Sequence, residues 1–230
     1  MSGRFYRDLN VAHIAQWIAE QGRVLEPQRD EAETFLKHLD KPGAVFSFRT
    51  FSDSAYTRSG AHDPLEKALH GSISNCWDEL VRLNKKGAVV TVTVNRTNGR
   101  GREIGDITHV RALFIDDDLG GDPQSLTIPP HIRVETSSHH FHNYWLVKDL
   151  GLNQFQACQQ RLAKRYQGDS RVQALNQAMQ LPGFWRRKQI SQPRLPRVVE
   201  TAKARPLNNQ QLEKLLGPVN RDDSNSANGS

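Results

Sequence analysis

Hydrophobic positions change period several times along the chain. Leu9, Ala12, Ile14, Trp17 and Ile18 fall at roughly helical spacing over residues 8 to 20. Ala32, Phe35, Leu36 and Leu39 repeat that spacing from Asp30 to Leu39, until Pro42-Gly43 stops it. From Ala44 to Phe51 apolar and polar residues alternate instead, which predicts a half-buried strand followed by a polar loop from Ser52 to Asp63. Ile73, Trp77, Leu80, Val81 and Leu83 predict a helix over Ser72 to Asn84, ended by Lys85-Lys86-Gly87. The β-branched run from Ala88 to Asn95 predicts a second strand.

The next apolar run, Val110 to Ile115, is continuous and ends in Asp116-Asp117-Asp118-Leu119-Gly120-Gly121. Such a run reads as a strand covered on both faces. After Pro129-Pro130, strands are predicted at Ile132 to Glu135 and Tyr144 to Val147, with Thr136 to His142 between them. Phe155, Cys158, Leu162 and Tyr166 predict a helix over Asn153 to Tyr166, broken by Gly168-Asp169. A short helix is expected over about Arg171 to Met179, closed by Leu181-Pro182-Gly183. A short strand at Val198-Val199, a helix from Asn208 to Leu216 and a polar, disordered tail from Asn220 follow. Because short turns separate successive strands, the pattern predicts an α+β fold with mixed or antiparallel strands rather than a doubly wound parallel sheet.

With 37% hydrophobic and 24% charged residues among 230, the chain has the makeup of a globular domain with a real core. No apolar run could span a bilayer and residues 1 to 10 hold no apolar signal core, so a cytoplasmic protein with no membrane partner is expected. Cys76 and Cys158 are too few for a disulfide framework or a cysteine-based zinc site. A formal net charge of +6 favours an anionic partner, though as a modest hint.

Candidate chemistry sits at the acidic strand end. Alternation along a strand sends Asp116 and Asp118 to one side and Asp117 to the other. Two carboxylates on one face repel, and a divalent cation with oxygen ligands relieves that repulsion. A solvated turn would explain the three aspartates equally well if they stood alone. An Asp-x-Asp pair holding Mg²⁺ or Mn²⁺ suits phosphoryl or nucleotidyl transfer, and Asp169, at the helix break after Gly168, is the best candidate for a third carboxylate. Arg96, Arg100 and Arg102 lie in a glycine-broken loop that is either a solvated connection or a phosphate-facing one. Phe184, Trp185, Arg186, Arg187 and Lys188 combine aromatic planes with positive charge, as a single-stranded nucleic-acid groove requires; a solvated basic loop is the alternative.

Several stretches, in order and spacing, resemble the RepB-type replication primases of plasmids and phages, within the archaeo-eukaryotic primase superfamily. They are Phe46 to Phe51, Leu83-Asn84 with Val92 to Gly99, Val110 to Asp118, Glu135 to Ser138 with His142 to Trp145, and Gly168-Asp169 leading to Leu181-Pro182-Gly183-Phe184 and Lys188. The resemblance implies an RRM-like catalytic core and metal-dependent synthesis of short primers on a single-stranded DNA template from nucleoside triphosphates. It implies Mg²⁺ or Mn²⁺ at Asp116, Asp118 and Asp169, nucleotide contacts from His142, Lys188 and Arg186, and a replicative helicase or initiator protein as partner. Where the family often carries an acidic residue and an arginine before its Leu-Pro-Gly turn, this chain has Ala174 and Gln180. The expected organisation is an N-terminal helical segment packing on the core (1–43), a catalytic domain (44–201), a short C-terminal helix (202–219) and a tail (220–230). DNA contacts are expected at Arg96, Arg100, Arg102, Trp185 and Arg187. Two other readings remain: a nickase using His140-Phe141-His142 for metal and Tyr166 as nucleophile, or a non-catalytic single-strand binder.

Overall fold

The computed structural model describes residues 25–53, 63–117, 126–169, 171–187 and 192–218. Asp118, Lys188, the helix expected over 8–20 and the tail from 220 lie outside the described residues. In the first half come α1 (Arg29–Leu39), β1 (Phe46–Ser52), β2 (Lys67–Gly71), α2 (Ile73–Lys85), β3 (Ala88–Thr93), β4 (Arg96–Thr97) and β5 (Ile107–His109). The second half adds β6 (Ala112–Asp117), β7 (Ile132–Ser137), β8 (His140–Leu146), α3 (Leu152–Tyr166), β9 (Ala178–Gln180), β10 (Arg197–Thr201) and α4 (Asn209–Leu216).

Two four-stranded antiparallel sheets result, ordered β2-β1-β3-β9 and β10-β7-β8-β6. One apolar cluster joins them, built from Phe46 and Phe48 of β1, Val90 and Val92 of β3, Leu113 to Ile115 of β6, and Tyr144 and Trp145 of β8. Helix α1 docks on the second sheet, where Phe35 meets the Tyr144 ring edge-on at 5.1 Å. The fold is α+β, as the interspersed pattern predicts.

Three departures from the predicted elements have physical causes. Strand β2, with Lys67 and Ala68 exposed, has no apolar signature; its register against β1 makes it a strand. The helix expected over Arg171 to Met179 is absent: turns lead into β9, whose Ala178 to Gln180 pair with Thr93 to Thr91 of β3. Nine residues are too few for an autonomous helix, and an open sheet edge offers them better hydrogen bonds. Thr136 to His142 is a tight hairpin rather than a connection, with His139 at its tip in the left-handed region (φ 62°), so His140 and His142 belong to a strand.

Candidate active site

In the β6–β8 ladder, Asp116 stands opposite His142 and Phe114 opposite Tyr144. The backbone groups of Phe114 and Asp116 turn away from β8, towards α3 and the residues after it. Asp116 and His142 therefore form a non-hydrogen-bonded pair, the kind whose side chains approach most closely. His142 Nε2 lies 3.4 Å from Asp116 Oδ1. On the other side of the imidazole, the hydroxyl of the fully buried Tyr144 lies 3.4 Å from Nδ1. Burial, and then the Asp116 charge, raise the Tyr144 pKa well above the ordinary phenol value. The phenol therefore keeps its proton, and its hydroxyl holds the imidazole from the Nδ1 side with Nε2 turned to Asp116.

Asp169 reaches the same place from α3. The side chain of buried Gln159 accepts from Phe114 N at 3.2 Å and donates to Phe114 O, so it docks the helix on the open edge of β6. The helix ends at Gln167 in the left-handed region (φ 53°). Gly168 then passes so close to β6 that a Cβ there would lie 3.1 Å from Ile115 Cβ. Asp169 N donates to Asp116 O at 3.2 Å, joining the two aspartates through the backbone. The Asp169 carboxylate accepts from Arg171 N at 2.8 Å and from its guanidinium at 2.8 to 3.0 Å. Those hydrogen bonds hold its pKa below the usual carboxylate value.

A cleft of about 410 Å³ opens between these groups. Asp116, His140, His142 and Asp169 line it together with Arg171, Arg186 and Arg194. Carboxylates and guanidiniums thus face one space. Mg²⁺ asks for one or two carboxylates and takes its remaining oxygens from substrate phosphate and water, so Asp116 and Asp169 suit it. Among the described residues no three His, Cys, Asp or Glu side chains form a complete protein cage.

Trp185 borders a second cleft of about 430 Å³, with Ser138 and Arg197, that shares Thr136, Ser137 and Arg194 with the first. Arg187 instead faces inward: its guanidinium donates to Asn84 O, and burial pulls its pKa down. Arg96 is held by Asp40 at 2.8 Å, and neither it nor Arg100 nor Arg102 lines either cleft. Tyr166, the nucleophile of the nickase reading, also stands apart, stacked on Trp145 with its hydroxyl donating to Leu215 O at 3.3 Å.

Arg171, Gln180, Arg194 and Tyr144 are cleft or supporting residues that sequence reasoning did not single out. For Arg171 a signal existed: an arginine two residues after an aspartate at a helix break suits an Asx turn. Gln180 showed only as a departure from a family pattern, and Arg194 and Tyr144 carried no signal of their own.

Residues 84–208 match the family model described as the RepB DNA-primase N-terminal domain. No curated protein matches the chain in sequence. Among solved structures, the AEP domain of the cyanophage S-2L primase-polymerase is similar with a TM-score of 0.66 at 17% identity, covering 84% of this chain and 100% of that one. The catalytic domain of primase RepB' in complex with initiator DNA is similar with a TM-score of 0.56 at 17% identity, covering 87% and 100%. A longer primase RepB' chain is similar with a TM-score of 0.55 at 17% identity, covering 78% of this chain and 57% of that one. At such identities the likeness is one of fold, and it is the fold of archaeo-eukaryotic primase domains.

Proposed function

Since the chain belongs to the RepB DNA-primase N-terminal domain family, matched over residues 84–208, we propose that it synthesises short primers on single-stranded DNA by metal-dependent nucleotidyl transfer. The observation that carries this reading is the meeting of Asp116 and Asp169, from separate elements, in one cleft that also holds Arg171, Arg186 and Arg194. Asp116 and Asp169, with Asp118, hold Mg²⁺ or Mn²⁺. When bound, such an ion would offset triphosphate charge and make the primer-end hydroxyl a better nucleophile. That hydroxyl oxygen attacks the α-phosphorus of the incoming nucleotide as its proton passes to water, the bond to the bridging oxygen breaks, and pyrophosphate departs.

His142 places Nε2 beside Asp116 on the cleft wall, within reach of the incoming nucleotide. Arg186, Arg194 and Lys188 bind the triphosphate. Its template lies over the second cleft, where Trp185 offers a ring for base stacking and Arg197 a charge for phosphate. A plasmid, phage or other mobile element is the proposed setting, with an initiator protein or replicative helicase as partner.

The test is direct. Purified full-length chain, given Mg²⁺ or Mn²⁺, nucleotides and single-stranded DNA, should yield short oligonucleotides, and Asp116→Ala or Asp118→Ala should abolish them without unfolding the protein. Persistent synthesis by both variants would overturn the assignment. A covalent protein–DNA adduct lost in Tyr166→Phe would support the nickase instead.

A further inference from the structure

We propose that Asp53 is a positioning residue for nucleotide binding, acting through Arg186. This rests on the reading of the cleft given above and assigns a role to a residue that does not line it. Asp53 directly follows β1 and is buried, with 7% of its surface exposed. Its carboxylate accepts from Arg187 N at 2.5 Å and from the Arg186 guanidinium at 3.3 Å. Gln180 takes a second N–H of the same guanidinium at 3.3 Å.

The backbone beneath is equally fixed. Buried Asn84 accepts from Trp185 N at 3.2 Å and donates to Trp185 O at 2.8 Å. Arg186 and Arg194 exchange backbone hydrogen bonds at 2.7 and 2.9 Å. Two buried polar side chains from different elements thus clamp residues 185–187.

A neutral acceptor would suffice for Arg187 N–H. A carboxylate at this depth needs a cationic partner, and Arg186 is its ion pair. An arginine left to itself loses side-chain freedom when it binds phosphate; held by Asp53 and Gln180, Arg186 has already lost it. Its side chain remains 35% exposed and lines the cleft, so donors are left for an anionic ligand.

The experiment is a double-mutant cycle on the full chain, read as affinity for a labelled, non-hydrolysable nucleoside triphosphate with Mg²⁺. Arg186→Gln should weaken binding about ten-fold and Asp53→Asn about five-fold. The double variant should bind no more than about two-fold worse than Arg186→Gln, because Asp53 then has nothing to position. Affinity for single-stranded DNA should stay within about two-fold in Asp53→Asn, which a general loosening of the segment would not allow. Additive losses, or wild-type affinity in Asp53→Asn, would overturn the inference. Wild-type affinity in Arg186→Gln would remove Arg186 from the nucleotide site and the inference with it, while loss of priming in Asp116→Ala would still stand. Should Asp53→Asn melt below assay temperature, the cycle is run on all four proteins below that melting point, with the same outcomes.

Discussion

Arg111 has 4% of its side chain exposed and carries a full charge into the core. Asp40 answers it, accepting from Arg111 Nε at 2.7 Å and from the Arg96 guanidinium at 2.8 Å. Burial pulls the Arg111 pKa down to about 10, which still leaves it cationic at neutral pH. For Asp40, burial pushes upward, but Arg111 and the hydrogen bonds outweigh it and the net pKa is lowered. Asp40→Asn should therefore cost about 3 kcal/mol at pH 7 in a denaturant titration, because a buried cation loses its partner. The folded value lies below the unfolded one. The stabilisation is thus complete above the ordinary carboxylate range and is lost as pH falls through the folded value, so the variant should show a flatter acid limb in stability against pH. This triad also shows why Arg96 read as a loop arginine: its partner lies 56 residues away, beyond the reach of any local pattern.

Strand β6 is the open edge of its sheet, and the elements that close that edge also build the site. Gln159→Leu should strand the buried amide and carbonyl of Phe114, costing about 2 kcal/mol and speeding hydrogen exchange at that amide. Gly168→Ala should act differently. Its Cβ would press on Ile115 at 3.1 Å, and relief pushes the chain, with Asp169, away from Asp116. Priming should fall at least about ten-fold while melting shifts by only a few degrees. Long periodic elements such as α2 and α3 were legible within a residue or two, because their apolar faces are local. The hairpin tip at His139 and strand β9 were not, because a partner strand decides them. Asp116 was legible from its run of aspartates, and Asp169 from the glycine before it, whereas Gln159, a polar residue on a helix, gave no hint that it is buried against a sheet edge.

Across the whole molecule, the site is assembled from β6, β7, β8, the turn after α3, β9 and the Arg186–Arg194 bridge. Carboxylate chemistry paired Asp169 with Asp116 and Asp118, and family resemblance added His142, Arg186 and Lys188; composition contributed the net charge of +6 and little more. No described helix is long and apolar enough to cross a membrane. Affinity for single-stranded DNA should fall steeply with salt, as phosphate contacts require, but a non-catalytic binder would behave alike. Synthesis separates the two. The deciding measurement is the yield of labelled oligonucleotide on single-stranded DNA by Asp169→Asn, in Mg²⁺ and in Mn²⁺, at a melting temperature equal to wild type. A cage shared between β6 and the turn after α3 predicts a loss of about a hundred-fold or more; wild-type yield from that variant would contradict it.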